Sequence, residues 1–378
     1  MRSGRARGRL AGLVLAGAAM LWAALLLAPG ARAWAKTALL LPDLLDLGGP
    51  RPLVLVSGAP SREEVRLAGA SADLYRPQGG GGRAGLVMTL GVHPLDKRDP
   101  IVARLGESLA RAGLAVLIIQ SDDLVADRIR PEEPGNLVAA FERLAADPGV
   151  SPRHVGLFGF SAGASLAFLA ASDDRIADRV RLVGWLGGYA DALELTEQVV
   201  ARRYDGTAWQ PHELTSYVFR KQLVDALPDP AERERLTAAY VADFGRGDPA
   251  ARAALGPLGP EAGRLVELFE RDDPALVRRL PTAVTARLAA LSPIRAVDRF
   301  RARVYLMHDR SDPLVPYVQT LELARALAPA RVARVETFDI FEHVQPTRPL
   351  SPLAFASEAW KLARTVAAIL AELDPGAP

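Results

Sequence analysis

The chain has 378 residues, 49% of them hydrophobic, which is enough for one large α/β domain with an insertion. It has no cysteine, which excludes disulfides, thiol catalysis and cysteine-ligated metal sites. The formal net charge is +2, acids and bases are mixed along the chain, and no basic stripe with interleaved aromatic residues occurs, so nucleic-acid binding is not indicated.

The first 35 residues have the pattern of a targeting segment. Four arginines come first (Arg2, Arg5, Arg7 and Arg9), and the run from Leu10 to Ala28 that follows carries no charge. Small residues at Ala31, Ala33 and Ala35 provide candidate cleavage sites. The run is long for a signal peptide and just long enough to span a bilayer, so a cleaved signal peptide and an uncleaved membrane anchor are both open. In either case we expect the rest of the chain to be exported from the cytoplasm.

Residues 36–52 are expected to be a connector, and residues 53–191 together with 291–378 to be the core. The core alternates short apolar runs, typical of buried strands, with amphipathic segments, typical of helices. The predicted strands are Leu53–Ser57, Glu64–Leu74, Gly85–Leu90, Leu114–Ile119, Val155–Phe158, Val180–Trp185, Ala302–Met307 and Val332–Ile340. The predicted helices are Ile101–Ala112, Asn136–Ala146, Ala164–Ala171, Leu321–Leu327 and Pro352–Leu373. This alternation indicates an α/β fold with a mostly parallel sheet covered by helices on both faces.

Residues 192–290 interrupt the alternation. Strand-like runs are absent from this part of the sequence, and its helical segments are Leu193–Arg203, Leu214–Leu227, Ala231–Phe244, Glu261–Glu270 and Pro274–Ala290. Because the strand pattern resumes at Ala302, we predict a helical cap inserted between two strands of the sheet. A separate helical domain, unrelated to any site, is the alternative.

A Gly-x-Ser-x-Gly turn from Gly159 to Gly163 follows one of the predicted strands and precedes a helix. This strand–turn–helix context is that of a nucleophile elbow, in which the serine is exposed at the carboxyl end of a strand. Glycines on both sides let the strand and the helix cross closely. We therefore predict that Ser161 is a nucleophile.

A serine nucleophile needs a base and an acid that orients the base. The five histidines are His93, His154, His212, His308 and His343. In nucleophile-elbow hydrolases the order along the chain is serine, acid, histidine, and His343, on a loop after the last strand, satisfies it if Asp312 is the acid. Asp309 and Asp312 both lie just after a strand and compete for that role.

The oxyanion of an acyl-transfer reaction needs backbone N–H donors. Ala162, next after the serine, is the expected first donor. The second is expected from the loop after Gly85–Leu90, where Pro94 has no N–H, so that Val92 or His93 must donate. Gly91 permits the close approach that such a donor requires.

These motifs resemble those of the α/β-hydrolase superfamily, nearest to its dienelactone-hydrolase-like and esterase-type branches. The resemblance covers about residues 53–190 and 291–375. Many members carry His-Gly-x-x-Asp-x-x-Val-Pro after a late strand, which corresponds here to His308, Asp312 and Val315-Pro316. The resemblance therefore favours Asp312 as the acid. Two departures occur: Leu90-Gly91 stands where the family has a His-Gly oxyanion signature, and Asp309 replaces the glycine after His308.

The sequence thus predicts an α/β-hydrolase fold and a serine hydrolase that cleaves an ester or related acyl bond. The predicted site is Ser161, Asp312 and His343, with the Val92 and Ala162 amides as oxyanion donors. An acyltransferase or peptidase with the same triad, or a non-catalytic exported binding protein on this scaffold, are the alternatives. We expect a small acyl substrate, no metal and no cofactor, since dinucleotide, P-loop and His-Glu zinc motifs are absent from the sequence.

Overall fold

The computed structural model describes residues 29–92 and 96–376. Its strands are β1 (Ser61–Leu67), β2 (Ala70–Arg76), β3 (Arg83–Thr89), β4 (Ala115–Ser121), β5 (Val150–Phe160), β6 (Leu182–Leu186), β7 (Arg203–Tyr204), β8 (Thr207–Ala208), β9 (Arg303–Asp309) and β10 (Val332–Phe338). Eight of them form one sheet in the order β1-β2-β4-β3-β5-β6-β9-β10, while β7 and β8 pair separately. Strands β1 and β2 run antiparallel to their neighbours, and the other pairs of the large sheet are parallel.

The helices before the middle of the chain are α1 (Pro29–Leu44), α2 (Pro52–Val56), α3 (Pro100–Arg111), α4 (Asp122–Val125), α5 (Glu133–Ala145) and α6 (Ala162–Ala171). Those that follow are α7 (Ala192–Ala201), α8 (Glu213–Asp225), α9 (Pro230–Leu236), α10 (Pro249–Ala253), α11 (Pro260–Arg271), α12 (Thr282–Ala290), α13 (Val318–Ala326) and α14 (Pro352–Leu373). Short helical turns of other types are Thr237–Val241, Pro274–Arg279, Pro293–Ala296 and Pro329–Arg331.

The sheet is buried on both faces. Along β4, Val116 and Ile118 belong to one apolar core, whereas Leu117 and Ile119 belong to the other, because successive side chains of a strand point to opposite faces. Helices α1, α3 and α14 cover one face, and α5 and α6 cover the other. The predicted α/β class with a mostly parallel sheet flanked by helices is confirmed, and it fits the α/β-hydrolase fold.

Helices α7 to α12 lie between β6 and β9, which are neighbouring parallel strands of the sheet. The chain therefore leaves the sheet after Leu186 and returns to it at Arg303. This is the segment for which the sequence predicts helices, and its only strands in the described part of the chain are the two residues each of β7 and β8.

Three predicted elements near the N-terminus differ from the structure. Leu53–Ser57, expected to be a strand, is mostly the short helix α2, which begins with a proline in its first turn. Glu64–Leu74, expected to be one strand, is a hairpin of β1 and β2 that turns at Ala68 and Gly69. Residues 36–44, expected to belong to a connector, continue helix α1, which tolerates Pro42 in its last turn.

No helix among the described residues is long and apolar enough to cross a membrane. The uncharged run Leu10 to Ala28 lies outside the described residues.

Candidate active site

Ser161 occupies a strained turn between β5 and α6. Its backbone has φ 54° and ψ −135°, a conformation that costs free energy for a residue with a side chain. The Ser161 N–H donates to the Leu186 carbonyl at 2.8 Å, which ties the turn to the end of the neighbouring strand β6. Such strain at a serine at the carboxyl end of a strand is typical of a nucleophile elbow.

The two glycines of the turn are required by its geometry. A Cβ on Gly159 would lie 2.2 Å from the Gly163 carbonyl oxygen, and a Cβ on Gly163 would lie 2.3 Å from the Leu90 carbonyl oxygen. Both distances are far inside van der Waals contact with backbone atoms, which have no room to move. The sequence motif is therefore explained by the close crossing of β5, α6 and the loop after β3.

The loop after β3 packs directly against the serine. A Cβ on Gly91 would lie 2.7 Å from the Ser161 Cβ and 3.0 Å from its Oγ, so only glycine fits here. Val92 lines the same cavity as Ser161 and Ala162. Ala162 is the first residue of α6, a position at which the N–H has no acceptor within the helix. His93, the other candidate donor, lies outside the described residues.

The carboxylate of Asp312 is buried and faces four hydrogen-bond donors. Its Oδ1 accepts from the N–H groups of Leu314 at 2.7 Å and Val315 at 3.0 Å. Its Oδ2 lies 2.6 Å from His343 Nδ1 and 3.1 Å from His308 Nε2. Burial by itself would raise the pKa of Asp312, but the two histidines outweigh it and hold that pKa well below its usual range. Asp312 is therefore an ionised, fully engaged carboxylate.

His343 is oriented by this carboxylate. Because a carboxylate only accepts, Nδ1 must carry the proton and Nε2 of the neutral ring must carry the lone pair. Nε2 is buried and has no hydrogen-bond partner within residues 29–92 and 96–376. Gly187, which follows the acceptor of the Ser161 N–H, lies against the ring: a Cβ on Gly187 would be 3.1 Å from His343 Cε1. The lone pair of Nε2 is thus unused within the described residues, and no hydrogen bond joins it to the Ser161 hydroxyl there.

His308 is a second histidine on the same carboxylate, and the sequence predicts no role for it. Its Nε2 also lies 3.0 Å from the Val315 carbonyl, so Nε2 faces two acceptors and must be protonated. Its Nδ1 lies 2.6 Å from Thr320 Oγ1, which itself accepts from Trp185 Nε1 at 2.9 Å. With the Thr320 hydroxyl accepting from Trp185, its proton goes to Nδ1 of His308. This chain of buried hydrogen bonds fixes the tautomer of His308.

Asp309, the competing acid, does not contact His343 through a hydrogen bond in the described part of the chain. Its Oδ1 accepts from Ser311 N–H and from Arg348, and its Oδ2 accepts from the Phe341 N–H at 2.9 Å. Burial raises the pKa of Asp309 in spite of these donors. Since Phe341 lies two residues before His343, Asp309 holds in place the loop that carries the histidine.

The remaining described histidines serve local structure. His154 Nδ1 is 2.8 Å from Ser151 Oγ near the start of β5, away from the carboxyl ends of the strands. His212 accepts from the Leu214 N–H and caps helix α8. No cluster of three or more His, Asp or Glu side chains that could hold a metal ion occurs in the described ranges.

A largely apolar cavity opens at Ser161. It encloses about 730 Å³ of space free of protein atoms, solvent at its mouth included. Val92, Ala162, Leu314 and Val315 line it near the serine, and most of its other lining residues belong to α7, α8 and α12. No charged side chain is among the described residues that line it. Its apolar, uncharged lining suits an apolar ligand.

The helical segment is tied to the loop that carries the acid. Trp209 Nε1 donates to the Asp312 carbonyl oxygen at 3.1 Å, and Thr215 Oγ1 donates to the Leu314 carbonyl oxygen at 3.0 Å. The His212 N–H donates to the Pro313 carbonyl oxygen at 2.8 Å. These three bonds place the start of α8 directly beside the candidate site.

No protein-family profile matches the chain, and no curated protein matches it in sequence. Among solved structures, it is similar to a hyperthermophilic esterase from Pyrobaculum calidifontis, with 14% identity, 90% of each chain covered and a TM-score of 0.48. It is also similar to a puromycin-hydrolyzing peptidase from Mycobacterium tuberculosis, with 17% identity, 81% of this chain covered and a TM-score of 0.46. An acylaminoacyl peptidase from Pyrococcus horikoshii has 11% identity, 82% of this chain covered and a TM-score of 0.45.

The chain spans only 38% and 41% of the length of these two peptidases. All three proteins have the α/β-hydrolase fold, the superfamily that the motifs of this chain resemble.

Proposed function

We propose that the protein is a serine hydrolase in which Ser161, His343 and Asp312 form the catalytic triad. The observation that carries this proposal is the buried Asp312–His343 hydrogen bond of 2.6 Å, which puts the proton on Nδ1 and leaves the lone pair of Nε2 without a partner in the described part of the chain. The strained backbone of Ser161 supports it. A buried histidine in a purely structural role is expected to use both ring nitrogens, as His308 does.

In this mechanism Ser161 Oγ attacks the acyl carbonyl carbon and gives its proton to His343 Nε2. Asp312 holds the ring in the required tautomer and stabilises the imidazolium that forms. The N–H groups of Ala162 and Val92 donate to the oxyanion, and the N-terminus of α6 adds its positive end. His343 then protonates the leaving group. Water, deprotonated by His343 in turn, attacks the acyl-enzyme and releases the acid.

The lining of the cavity supports an ester with a neutral, apolar acyl group as substrate. A charged substrate group would lose its hydration there without gaining a partner among the described lining residues. Each additional methylene that the cavity buries contributes about 0.8 kcal/mol, roughly fourfold in kcat/KM. We therefore propose a carboxylesterase preference for acyl chains longer than acetyl, up to the length that the cavity holds.

We further propose that residues 192–290 act as a cap over this site. Helices α7, α8 and α12 supply most of the cavity wall. Hydrogen bonds from Trp209 and Thr215 to the Asp312 loop hold the start of α8 there. Specificity would then depend on these helices more than on the sheet.

We also propose that the first 28 residues export the protein and remain as a membrane anchor. Cleavage after Ala33 or Ala35 would cut inside helix α1 and remove Arg32, which binds Asp374 with an Nε–Oδ2 distance of 3.0 Å. It would also remove Ala33, whose carbonyl accepts from Thr37 in the buried side of α1. Retention of an uncleaved N-terminus is therefore the proposal that preserves the packing of α1 on α14.

The test of the activity is hydrolysis of p-nitrophenyl esters from acetate to decanoate by the full chain and by Ser161→Ala. Ser311→Ala is the matched control, because Ser311 is an exposed serine in the Asp312 loop. We expect Ser161→Ala to lose activity by about a thousandfold or more, and Ser311→Ala to retain it. Full activity of Ser161→Ala would overturn the assignment of the nucleophile, and an inactive wild-type chain would overturn the proposed function.

A further inference from the structure

Helix α1 exposes an uncharged line to solvent. Gly30, Trp34 and Ala38, which are four residues apart and therefore lie on one face of the helix, are all exposed. The cationic residues of α1 point elsewhere: Arg32 binds Asp374, and Lys36 Nζ lies 3.3 Å from where a Cβ on Gly113 would be. A helix on the surface of a soluble protein normally has the reverse arrangement, with its charges toward water.

Helix α14 exposes a similar line next to it. Leu353, Ala356, Ser357 and Trp360 are spaced as neighbours on one helical face, and all four are exposed. The two lines meet where Trp34 and Trp360 stack, with ring centroids 5.1 Å apart and an interplanar angle of 19°. We call these seven residues of α1 and α14 the tryptophan face.

Exposure of this face is large for the types of side chain involved. Leu353 is 84% exposed, Trp360 58% and Trp34 40%. Helix α2, which packs against α1, adds Leu55 at 80% and Val56 at 66%. Most of the exposed large hydrophobic side chains in the described part of the chain belong to α1, α2, α14 or the residues beside them. Grouped apolar exposure of this kind indicates an interaction surface.

The position of the face in the chain indicates what covers it. The uncharged run Leu10 to Ala28 ends directly before Pro29, the first residue of α1. Trp34 lies five residues further on, about 8 Å along the helix axis. If the run spans the bilayer and the chain bends at Pro29, α1 lies along the membrane surface. Trp34 then reaches the lipid headgroups, where the apolar body and polar N–H of tryptophan are both satisfied.

We propose that the tryptophan face rests on the surface of a lipid bilayer, with Trp34 and Trp360 at the interface. The proposal builds on the N-terminal anchor proposed above and adds a second, independent contact with lipid. The exposed sides of α1 and α14 then contact the membrane, and the folded domain has one fixed orientation on the bilayer instead of rotating freely about its N-terminal anchor.

Quenching of tryptophan fluorescence by brominated lipids tests this proposal with the full chain. The protein has five tryptophans, and Trp22 lies within the uncharged run, so Trp22→Phe removes the signal of the anchor itself. Of the remaining four, Trp185 and Trp209 are buried in the protein. The full-chain Trp22→Phe variant is reconstituted into phosphatidylcholine–phosphatidylglycerol vesicles whose acyl chains are brominated near the headgroup.

We expect the emission of Trp22→Phe to fall by up to roughly half, because two of its four tryptophans lie on the face. Adding Trp34→Phe and Trp360→Phe, which keep an aromatic pair, should abolish the quenching. Adding Phe244→Trp to that triple variant places an exposed tryptophan on the helical segment instead, and it should stay unquenched.

Two results would overturn the proposal and are distinct from each other. Co-flotation with vesicles without quenching of Trp22→Phe would show that the anchor holds but the face does not touch lipid, as when a second copy of the chain covers it. Failure of the full chain to co-float with vesicles would contradict both the proposed anchor and the proposed lipid contact. Neither result bears on the hydrolase activity, which is measured separately.

Discussion

The exchange Asp312→Asn keeps the shape of the acid and changes only its charge and one acceptor. In the wild-type chain Oδ1 accepts two backbone N–H groups, from Leu314 and Val315. The amide oxygen of the asparagine must take this place, because an NH2 group there would face two donors. The NH2 group is then forced to the position of Oδ2, opposite the two histidines.

At that position the NH2 group needs an acceptor. His343 can supply one only by moving its proton from Nδ1 to Nε2, and the ring then has no lone pair to accept the proton of Ser161. His308 still has the Val315 carbonyl as an acceptor at 3.0 Å, so its tautomer need not change. We expect a loss of about 10,000-fold in kcat, the cost of the wrong tautomer in a Ser-His-Asp triad, with little change in KM. The free energy of unfolding should fall by about 2 kcal/mol as charge-assisted hydrogen bonds are lost.

Steady-state hydrolysis of a p-nitrophenyl ester at several pH values measures the first effect, and urea unfolding measures the second. Asp339→Asn is the matched control, because Asp339 is a partly exposed carboxylate of the same region that pairs with Arg310. The control should retain the wild-type kcat. If Asp312→Asn kept kcat within tenfold of the wild type, the reasoning that Asp312 sets the tautomer of His343 would be refuted.

Three further predictions concern the surroundings of the site. Gly163→Ala should yield little folded protein in circular dichroism and solubility assays, because its Cβ would lie 2.3 Å from the Leu90 carbonyl oxygen; a soluble, wild-type-like variant would contradict the close crossing. Thr320→Val leaves Trp185 Nε1 and His308 Nδ1 without their partner, so the free energy of unfolding in urea should fall by about 1–3 kcal/mol. An unchanged unfolding midpoint would mean that this chain of hydrogen bonds does not stabilise the protein. Burial, and then the carboxylate of Glu194, raise the pKa of Glu322 to about 8. Because the folded state then binds this proton more tightly than the unfolded state, the free energy of unfolding should decline as the pH rises from 4.5 to about 8. Glu322→Gln should flatten that decline in urea unfolding at a series of pH values, and an identical slope in both proteins would rule out this cause.

The sheet was predictable where burial on both faces makes a strand a continuous apolar run. Gly85–Leu90 and Leu114–Ile119 each match a buried strand within a residue or two, because burial on both faces makes these runs almost wholly apolar. The same rule failed for Leu53–Ser57, which is apolar yet forms helix α2 with Leu55 and Val56 exposed. A short apolar run has no period of its own, and here the surroundings decide its structure.

The hairpin of β1 and β2 was missed for a different reason. Strand β1 is an exposed edge strand with four charged residues, Arg62, Glu63, Glu64 and Arg66. Because of these charges, the hydrophobic pattern does not show where one strand ends and the next begins. The turn is formed by Ala68 and Gly69 alone, which is a weak signal. Pro42 led to the expectation of a connector, although a proline in the last turn of a helix breaks few hydrogen bonds.

The candidate site also has residues that the sequence predicts and residues whose role it does not reveal. Ser161 and its glycines are predictable because the elbow is local in sequence and constrained by backbone contact. The role of His308 is not, because its tautomer depends on Thr320, 12 positions away, and Thr320 in turn accepts from Trp185, which lies 135 positions from it. Asp309 and Asp312 have the same local context, and only the folded loops show that one contacts His343 and the other contacts the backbone of Phe341.

The central claim, that Ser161 is an activated nucleophile, is tested most directly by a fluorophosphonate probe on the folded full chain, with the adduct located by mass spectrometry. We expect a single adduct on Ser161, absent from Ser161→Ala and formed much more slowly in Asp312→Asn. An unlabelled Ser161 in folded protein, or an adduct on another serine with Ser161 unmodified, would contradict it.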